Sequence, residues 1–217
     1  MKFTRKRLLW CLLGLGVLVG GLYFGRRFQE QFFAISPRGG ESLSLPALAT
    51  VHYRQRDPRW AEEHLGGFGE SLAHAGCTVC SLAMALDFYG VKITPKDLNN
   101  FLKASDGYNA RGWLRWNSVD KLSGGLVKLG YMGHPTFEVI DRALKERQPV
   151  LVKVYIKGVI PHWVLVVGKN QQEYLMRDPL SEEGRMGKVS DYGSKIFAVR
   201  ILKAVRPVHN AGEPPKN

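Results

Sequence analysis

The stretch Ala75-Gly76-Cys77-Thr78-Val79-Cys80-Ser81-Leu82-Ala83-Met84 decides how the rest of this 217-residue chain is read. Apolar side chains recur at helical spacing after the first cysteine (Val79, Leu82, Ala83, Leu86). The run closes at Gly90, a residue suited to the position just past a helix. Cys77 is therefore expected at or near a helix N-terminus. There the unpaired backbone N–H groups and the helix dipole favour a thiolate over a thiol. The plainer alternative is a buried cysteine that only packs. A partner base elsewhere in the chain decides between them.

Hydrophobic residues make up 45% of the sequence, ordinary for a globular core, and the length suits one domain with appendages. The formal net charge is +12. Residues 1–50 hold seven Lys/Arg against two acids, and the remainder holds 24 against 17. The later excess is scattered and forms no basic-aromatic motif, so no nucleic acid partner is expected. A cationic face drawn to anionic surfaces is the milder reading.

Lys2, Arg5, Lys6 and Arg7 precede the apolar run Leu8 to Phe24, which Arg26 and Arg27 close. This run is short for a membrane span and long for a signal-peptide core, and no small-x-small cleavage site follows it. Residues 1–27 read as an uncleaved signal anchor or transmembrane segment, with a cleaved signal peptide as the alternative. The basic head belongs on the cytoplasmic side, which puts the rest outside, in a periplasm or at a cell surface. Cys11 falls inside the run and is expected to face lipid. Residues 28–50 carry Pro, Gly and Ser without a sustained period and read as a linker, with Gly39-Gly40 a spacer rather than a cleavage motif. The domain is expected over 51–205, and 206–217 as a disordered tail.

Within the domain, Val51 to Gln55 alternates and is expected to form a short strand. Thr94-Pro95 looks like an N-cap with proline at the first helical position, opening a helix to about Lys103. Thr136 is placed to cap another, with Phe137, Ile140 and Leu144 on one face. Residues 106–133 are rich in Gly and Trp and show no clear period. Strands are expected at 150–156, 162–167, 174–178 and 196–202. A helical half followed by an antiparallel sheet makes the fold class α+β.

Six histidines are available as the base. His52, His64, His74, His134 and His209 fall in loops, linker or tail, where solvation is the default. His162 opens an apolar strand, between Pro161 and Trp163, and Asp178 ends the next. If the two strands make a hairpin, the start of one faces the end of the other, and His162 meets Asp178. Cysteine, histidine and an orienting carboxylate make a thiol-hydrolase triad. Taken alone, Asp178-Pro179 would be a plain turn.

Gln55-x-Asp57-x-x-Trp60, Gly76-Cys77 with Ser81-Leu82-Ala83-Met84, Tyr89-Gly90, Thr94-Pro95, His162-Trp163-Val164 and Asp178-Pro179, in this order and spacing, resemble the papain-like cysteine peptidases related to bacteriocin-leader (double-glycine) processing enzymes. The resemblance runs from about Gln55 to about Pro179. It implies a papain-like cysteine peptidase fold, with Cys77 as nucleophile, His162 as general base, Asp178 as its orienter and Gln55 as an oxyanion-hole donor. It also implies a peptide or protein substrate and no cofactor. Two departures stand in the sequence. Gly76 and Thr78 flank the cysteine where leader-processing relatives carry an acidic residue and a glycine, and Gln55 precedes Cys77 by 22 positions.

Two other classes compete. Cys77-Thr78-Val79-Cys80 is a C-x-x-C at a helix start, the local form of a thioredoxin-like oxidoreductase site. A catalytically inactive binding module with the peptidase fold is the other. Zinc held by Cys77 and Cys80 lacks a second ligand pair at suitable spacing.

Overall fold

A computed structural model describes residues 29–205 except 68 and 183, together with Gly14 and Gly25. A four-residue helix, α1 (Leu72–Ala75), leads through Gly76 into α2 (Cys77–Phe88). Glycine is required at that junction, because a Cβ on residue 76 would come within 2.4 Å of the Leu72 carbonyl oxygen. Ten of the twelve residues of α2 are buried, so it is a central helix enclosed on nearly every side. α3 (Pro95–Ala104) starts as its sequence dictates: Thr94 Oγ1 accepts from the Asp97 amide at 3.2 Å, and Pro95 stands first in the helix. A 3-10 turn (Trp116–Ser118) runs into the short α4 (Val119–Leu122). Thr136 caps α5 (Phe137–Lys145) through the Val139 amide at 3.2 Å.

The strands are β1 (Arg38–Leu45), β2 (Val127–Gly133), β3 (Val150–Ile156), β4 (Ile160–Arg177), β5 (Gly187–Lys188) and β6 (Ala198–Ala204). They form one antiparallel sheet in the order β1-β4-β3-β6-β2, with β5 also paired to β4. The fold class is α+β, as expected. Alternate residues of the central strands feed two cores. Leu151, Leu165, Val167 and Leu202 pack with α2, while Val150, Val152, Val154, Val164 and Val166 pack with Ile140 and Leu144 of α5.

β4 replaces the two separate strands expected over 162–167 and 174–178. Its 18 residues cannot run straight. His162 and Asp178 lie 16 positions apart, which at roughly 3.3 Å per residue is about 50 Å of extended chain. Yet their side chains meet at 2.8 Å. The ribbon therefore folds back on itself, and the reversal falls near their midpoint, where Asn170 and Gln171 are exposed and Gln171 has φ 54°. Pairing with Ser44 and Leu43 of β1 keeps the backbone laddered through the reversal.

Three expectations need correction. Residues 35–50 are not a free linker, since they carry β1 and the Ile35–Ile196 bridge that ties the chain to the sheet ahead of β6. Gly39-Gly40 is likewise no spacer. Both glycines have positive φ (145° and 71°), Gly39 lies against the Phe137 ring, and a Cβ on Gly40 would overlap Asp141. Val51 to Gln55 forms no strand. Its alternation reflects Val51 and Tyr53 packing on the helical core, and Gln55 enters a turn. The expected anchor over 1–27, apart from Gly14 and Gly25, and the expected tail over 206–217 lie outside the described residues. Among the described residues no helix is long and apolar enough to cross a membrane.

A buried ion pair secures β1. Lys169 Nζ donates to Asp141 Oδ1 at 2.6 Å and to the Gly39 carbonyl at 2.9 Å. The Tyr174 hydroxyl donates to the same Oδ1 at 2.9 Å, and the Glu41 amide to Oδ2 at 2.8 Å. Lys169 and Asp141 are 1% and 2% exposed. Asp141→Ala leaves the ammonium buried without its counter-charge, so stability should fall by about 3–5 kcal/mol. Urea denaturation measures it; a loss below about 1 kcal/mol, typical of exposed pairs, would show that the clamp does not hold β1.

Candidate active site

Cys77 opens α2, so its amide and those of the following turn are the N–H groups that a helix start leaves without intrahelical partners. The residue is 8% exposed, its thiol feels the neighbouring His162 ring, and Thr78 Oγ1 lies 3.9 Å from its sulfur. His162 stands on β4 opposite Val154 of β3 and is buried. Its Nε2 lies 2.8 Å from Oδ1 of Asp178. The Leu180 amide donates to the same oxygen at 2.9 Å, and the Tyr192 hydroxyl donates to Oδ2. The structure thus brings Cys77, His162 and Asp178 into one chain of contacts.

The charges follow from these contacts. Burial raises the Asp178 carboxyl, but His162, Tyr192 and the Leu180 amide outweigh it and hold the group below its ordinary value. An ionised carboxylate can only accept, so Nε2 carries the proton and Nδ1 is left for the sulfur. Burial opposes the charged ring of His162, yet Asp178 and then Cys77 raise it to about 9. Burial also pushes the Cys77 thiol up. The hydrogen bond and charge of His162, with smaller help from the Trp163 backbone and Thr78, bring it below its ordinary value. Both shifts favour a thiolate–imidazolium pair, and such a pair could attack a carbonyl and protonate what leaves it.

Ser81 sets the register of helix against strand. It lies four residues after Cys77 on the same helix face, and its hydroxyl donates to the Trp163 carbonyl at 3.0 Å. The residue after the histidine is thereby tied one turn below the sulfur.

Gln55 is brought close by a closed excursion of the chain. Residues 56–76 turn out and return through paired backbone bonds, Leu72 N to Glu63 O and Ala73 N to Ala61 O, both 2.9 Å. The Gln55 amide then bonds to the Pro179 carbonyl at 2.9 Å, and its Nε2 donates to the Ala73 carbonyl at 2.7 Å. Gln55 is 3% exposed, and it joins the segment before Cys77 to the one after Asp178. Nε2 keeps one further N–H. The neighbouring motif residues are structural: Asp57 pairs with Arg59, while Trp60 is buried with its Nε1 on the Arg54 carbonyl.

The two thiols of the C-x-x-C diverge. Cys80 is fully buried, and burial, with the charges of Cys77 and Asp57, drives its thiol well above the ordinary value. Both are free cysteines. Among the described residues no group of three or more His, Cys, Asp or Glu is placed to hold a metal.

The model of the Peptidase_C39 like family matches residues 50–199. The chain belongs to this family. A search of the curated proteins found no match. Among solved structures, one similar chain is a protein from Bacillus anthracis assigned as a C39-like peptidase, with 16% identity and a TM-score of 0.45 over 76% of this chain and all of that one. The matched span of this C39-like chain takes in Gln55, Cys77, His162, Asp178 and Tyr192.

Two contributors escape a reading of the sequence. Tyr192 comes from a 3-10 turn (Val189–Tyr192) with nothing local to mark it, and only the fold sets its hydroxyl on Asp178. Ser81 is one of several small residues on a buried helix, and its bond to β4 is a tertiary fact.

Alkylation by iodoacetamide tests the electrostatics. The ring of His162 is raised, so the imidazolium is complete at low pH and is lost as pH rises through about 9. Cys77 is depressed, so its thiolate is present above its folded pKa and lost below it. Cys77 should thus react at neutral pH with a plateau, and Cys80 should stay unlabelled in the native protein. His162→Ala should move the Cys77 profile up towards an ordinary thiol, about 8.5. Equal labelling of both cysteines, unaffected by His162→Ala, would remove the ion pair.

Proposed function

We propose that this chain is a cysteine peptidase, held at a membrane by its first 27 residues with the domain on the extracytoplasmic side. One observation supports the catalytic part above all: His162 stands between a sulfur at a helix N-terminus and a carboxylate, each engaging the same buried ring. The Cys77 thiolate attacks the carbonyl carbon of a peptide or amide bond, and the C=O electron pair moves onto oxygen. The Cys77 amide and the remaining Nε2 N–H of Gln55 are the candidate donors to that oxyanion. As the C–N bond breaks, imidazolium His162 gives its Nδ1 proton to the departing nitrogen, leaving a thioester. The neutral ring then takes a proton from water, whose oxygen attacks the thioester and expels the thiolate. Asp178, held by Tyr192 and Leu180, keeps the ring oriented throughout. Gly76 and Thr78 flank the sulfur in place of the residues of leader-processing relatives, so the reading stops at a peptide or amide bond.

Cleavage of a fluorogenic peptide library tests the roles. Cys77→Ser should abolish turnover, and His162→Ala should lower it by about 10²–10⁴-fold, the scale of general acid–base catalysis. Asp178→Asn should retain more activity than Asp178→Ala, since an amide can still orient the ring. Near wild-type rates in both Asp178 variants would reduce Asp178-Pro179 to a turn.

The location rests on the basic head and the apolar run Leu8 to Phe24. A reporter that fluoresces only in the cytoplasm, fused after Asn217, should stay dark in cells. A bright fusion would overturn the placement.

A further inference from the structure

The sheet presents a half-buried cation over Trp163, the residue that follows the proposed base. Arg200 lies on β6 opposite Leu151 of β3. Its guanidinium carbon is 5.4 Å from the centre of the Trp116 ring and 5.5 Å from that of Trp163, and the two rings are 5.0 Å apart. One of its N–H groups reaches the Val199 carbonyl at 2.8 Å. Its Nε is buried and, among the described residues, has no hydrogen-bond partner. Among the described residues no carboxylate lies within ion-pair distance of it. Burial lowers it to about 10, with Tyr131 and Glu30 opposing the shift only through their charges. Two ring faces compensate a half-buried guanidinium in part. Its planar fork fits a bidentate partner best, and the described residues supply none.

Trp163 follows His162 directly, its carbonyl is held by Ser81, and its backbone engages Cys77. The ring that carries Arg200 is therefore fixed with respect to the sulfur. The same region already binds one carboxylate of the chain: Glu30 accepts from Lys153 Nζ at 2.7 Å and from the Tyr155 hydroxyl at 2.8 Å. Lys153 pairs directly with Trp163 across β3 and β4. The net charge of +12 adds a long-range attraction for acidic ligands.

We propose that Arg200, framed by Trp116 and Trp163, is a specificity subsite that takes a carboxylate of the peptide substrate, so that the preferred substrates are acidic near the bond cleaved. This rests on the peptidase reading of Cys77. The carboxylate comes either from an Asp or Glu side chain or from a free C-terminus, and both present the same two oxygens.

Full-length protein carrying Cys77→Ala is titrated with synthetic peptides and followed by tryptophan fluorescence. Three peptides share one scaffold: neutral with an amidated end, the same with one Gln replaced by Glu at successive positions, and neutral with a free C-terminal carboxylate. At least one carboxylate peptide should bind about tenfold or more tightly than the neutral one, the effect of a charge-assisted hydrogen bond. The arm that shows the preference identifies the source. Arg200→Gln should bring the ratio near one, and Arg200→Lys should keep part of it, which guards against a misfolded Gln variant. Added salt should weaken the preference. A ratio near one in the Cys77→Ala protein, or a ratio that survives Arg200→Gln, overturns the assignment. The peptidase reading is tested apart, by iodoacetamide labelling and library cleavage with native Cys77. If those hold and the ratio fails, only the subsite falls; if Cys77 proves an ordinary thiol, the reading beneath it falls.

Discussion

The fold-back of β4 is the constraint on which the rest of the molecule depends. One ribbon carries His162 near its start and reaches Asp178 just past its end, and reversal at Asn170–Gln171 closes the distance between them. The same reversal sets Lys169 and Tyr174 on either side of Asp141, the buried group that clamps β1. At the other end, the Trp163 carbonyl receives Ser81 and aligns the start of α2 with the start of the strand. Antiparallel pairing fixes register to one residue, and a slip by one would turn His162 to the opposite face. Site geometry and sheet stability therefore rest on the same hydrogen bonds.

Burial at the site works against every charge it contains. Desolvation is the largest influence on Cys77, His162 and Asp178 alike, and in each case it favours the neutral form. The net shifts nonetheless run towards the charged forms, because each group supplies what its neighbour lacks. Asp178 is held by three donors, His162 by a carboxylate and a sulfur, and Cys77 by the ring and the head of a helix. The arrangement is cooperative for that reason, and removing one member changes the charge state of the others. Cys80, three residues on, shows the same burial without a partner, and its thiol moves the opposite way.

The chain makes a closed detour between Gln55 and Cys77. That loop is closed by its own backbone bonds, so its length leaves Gln55 against both the Cys77 side and the Asp178 side. Closing a longer loop costs little extra entropy, which is why such an excursion can be accommodated without disturbing the site.

Local chemistry determined much of this fold from the sequence alone. The caps at Thr94 and Thr136, the helical spacing after Cys77 and the β-branched run from Val150 are decided within a few residues, and the elements formed there. The meeting of His162 with Asp178 was legible too, because a hairpin makes it a matter of spacing along one stretch of chain. β1, β2, Tyr192 and the Trp116–Trp163–Arg200 group were not. β1 is a Gly- and Ser-containing segment ordered by Lys169 and Asp141, groups 100 or more residues away. β2 holds two glycines and alternates weakly, and it becomes a strand by pairing with β6. Tyr192 and Arg200 gain meaning only from neighbours on other elements. Propensity and periodicity act over single turns and single strands, whereas these contacts exist only after distant segments have packed, so the tertiary structure alone decided them.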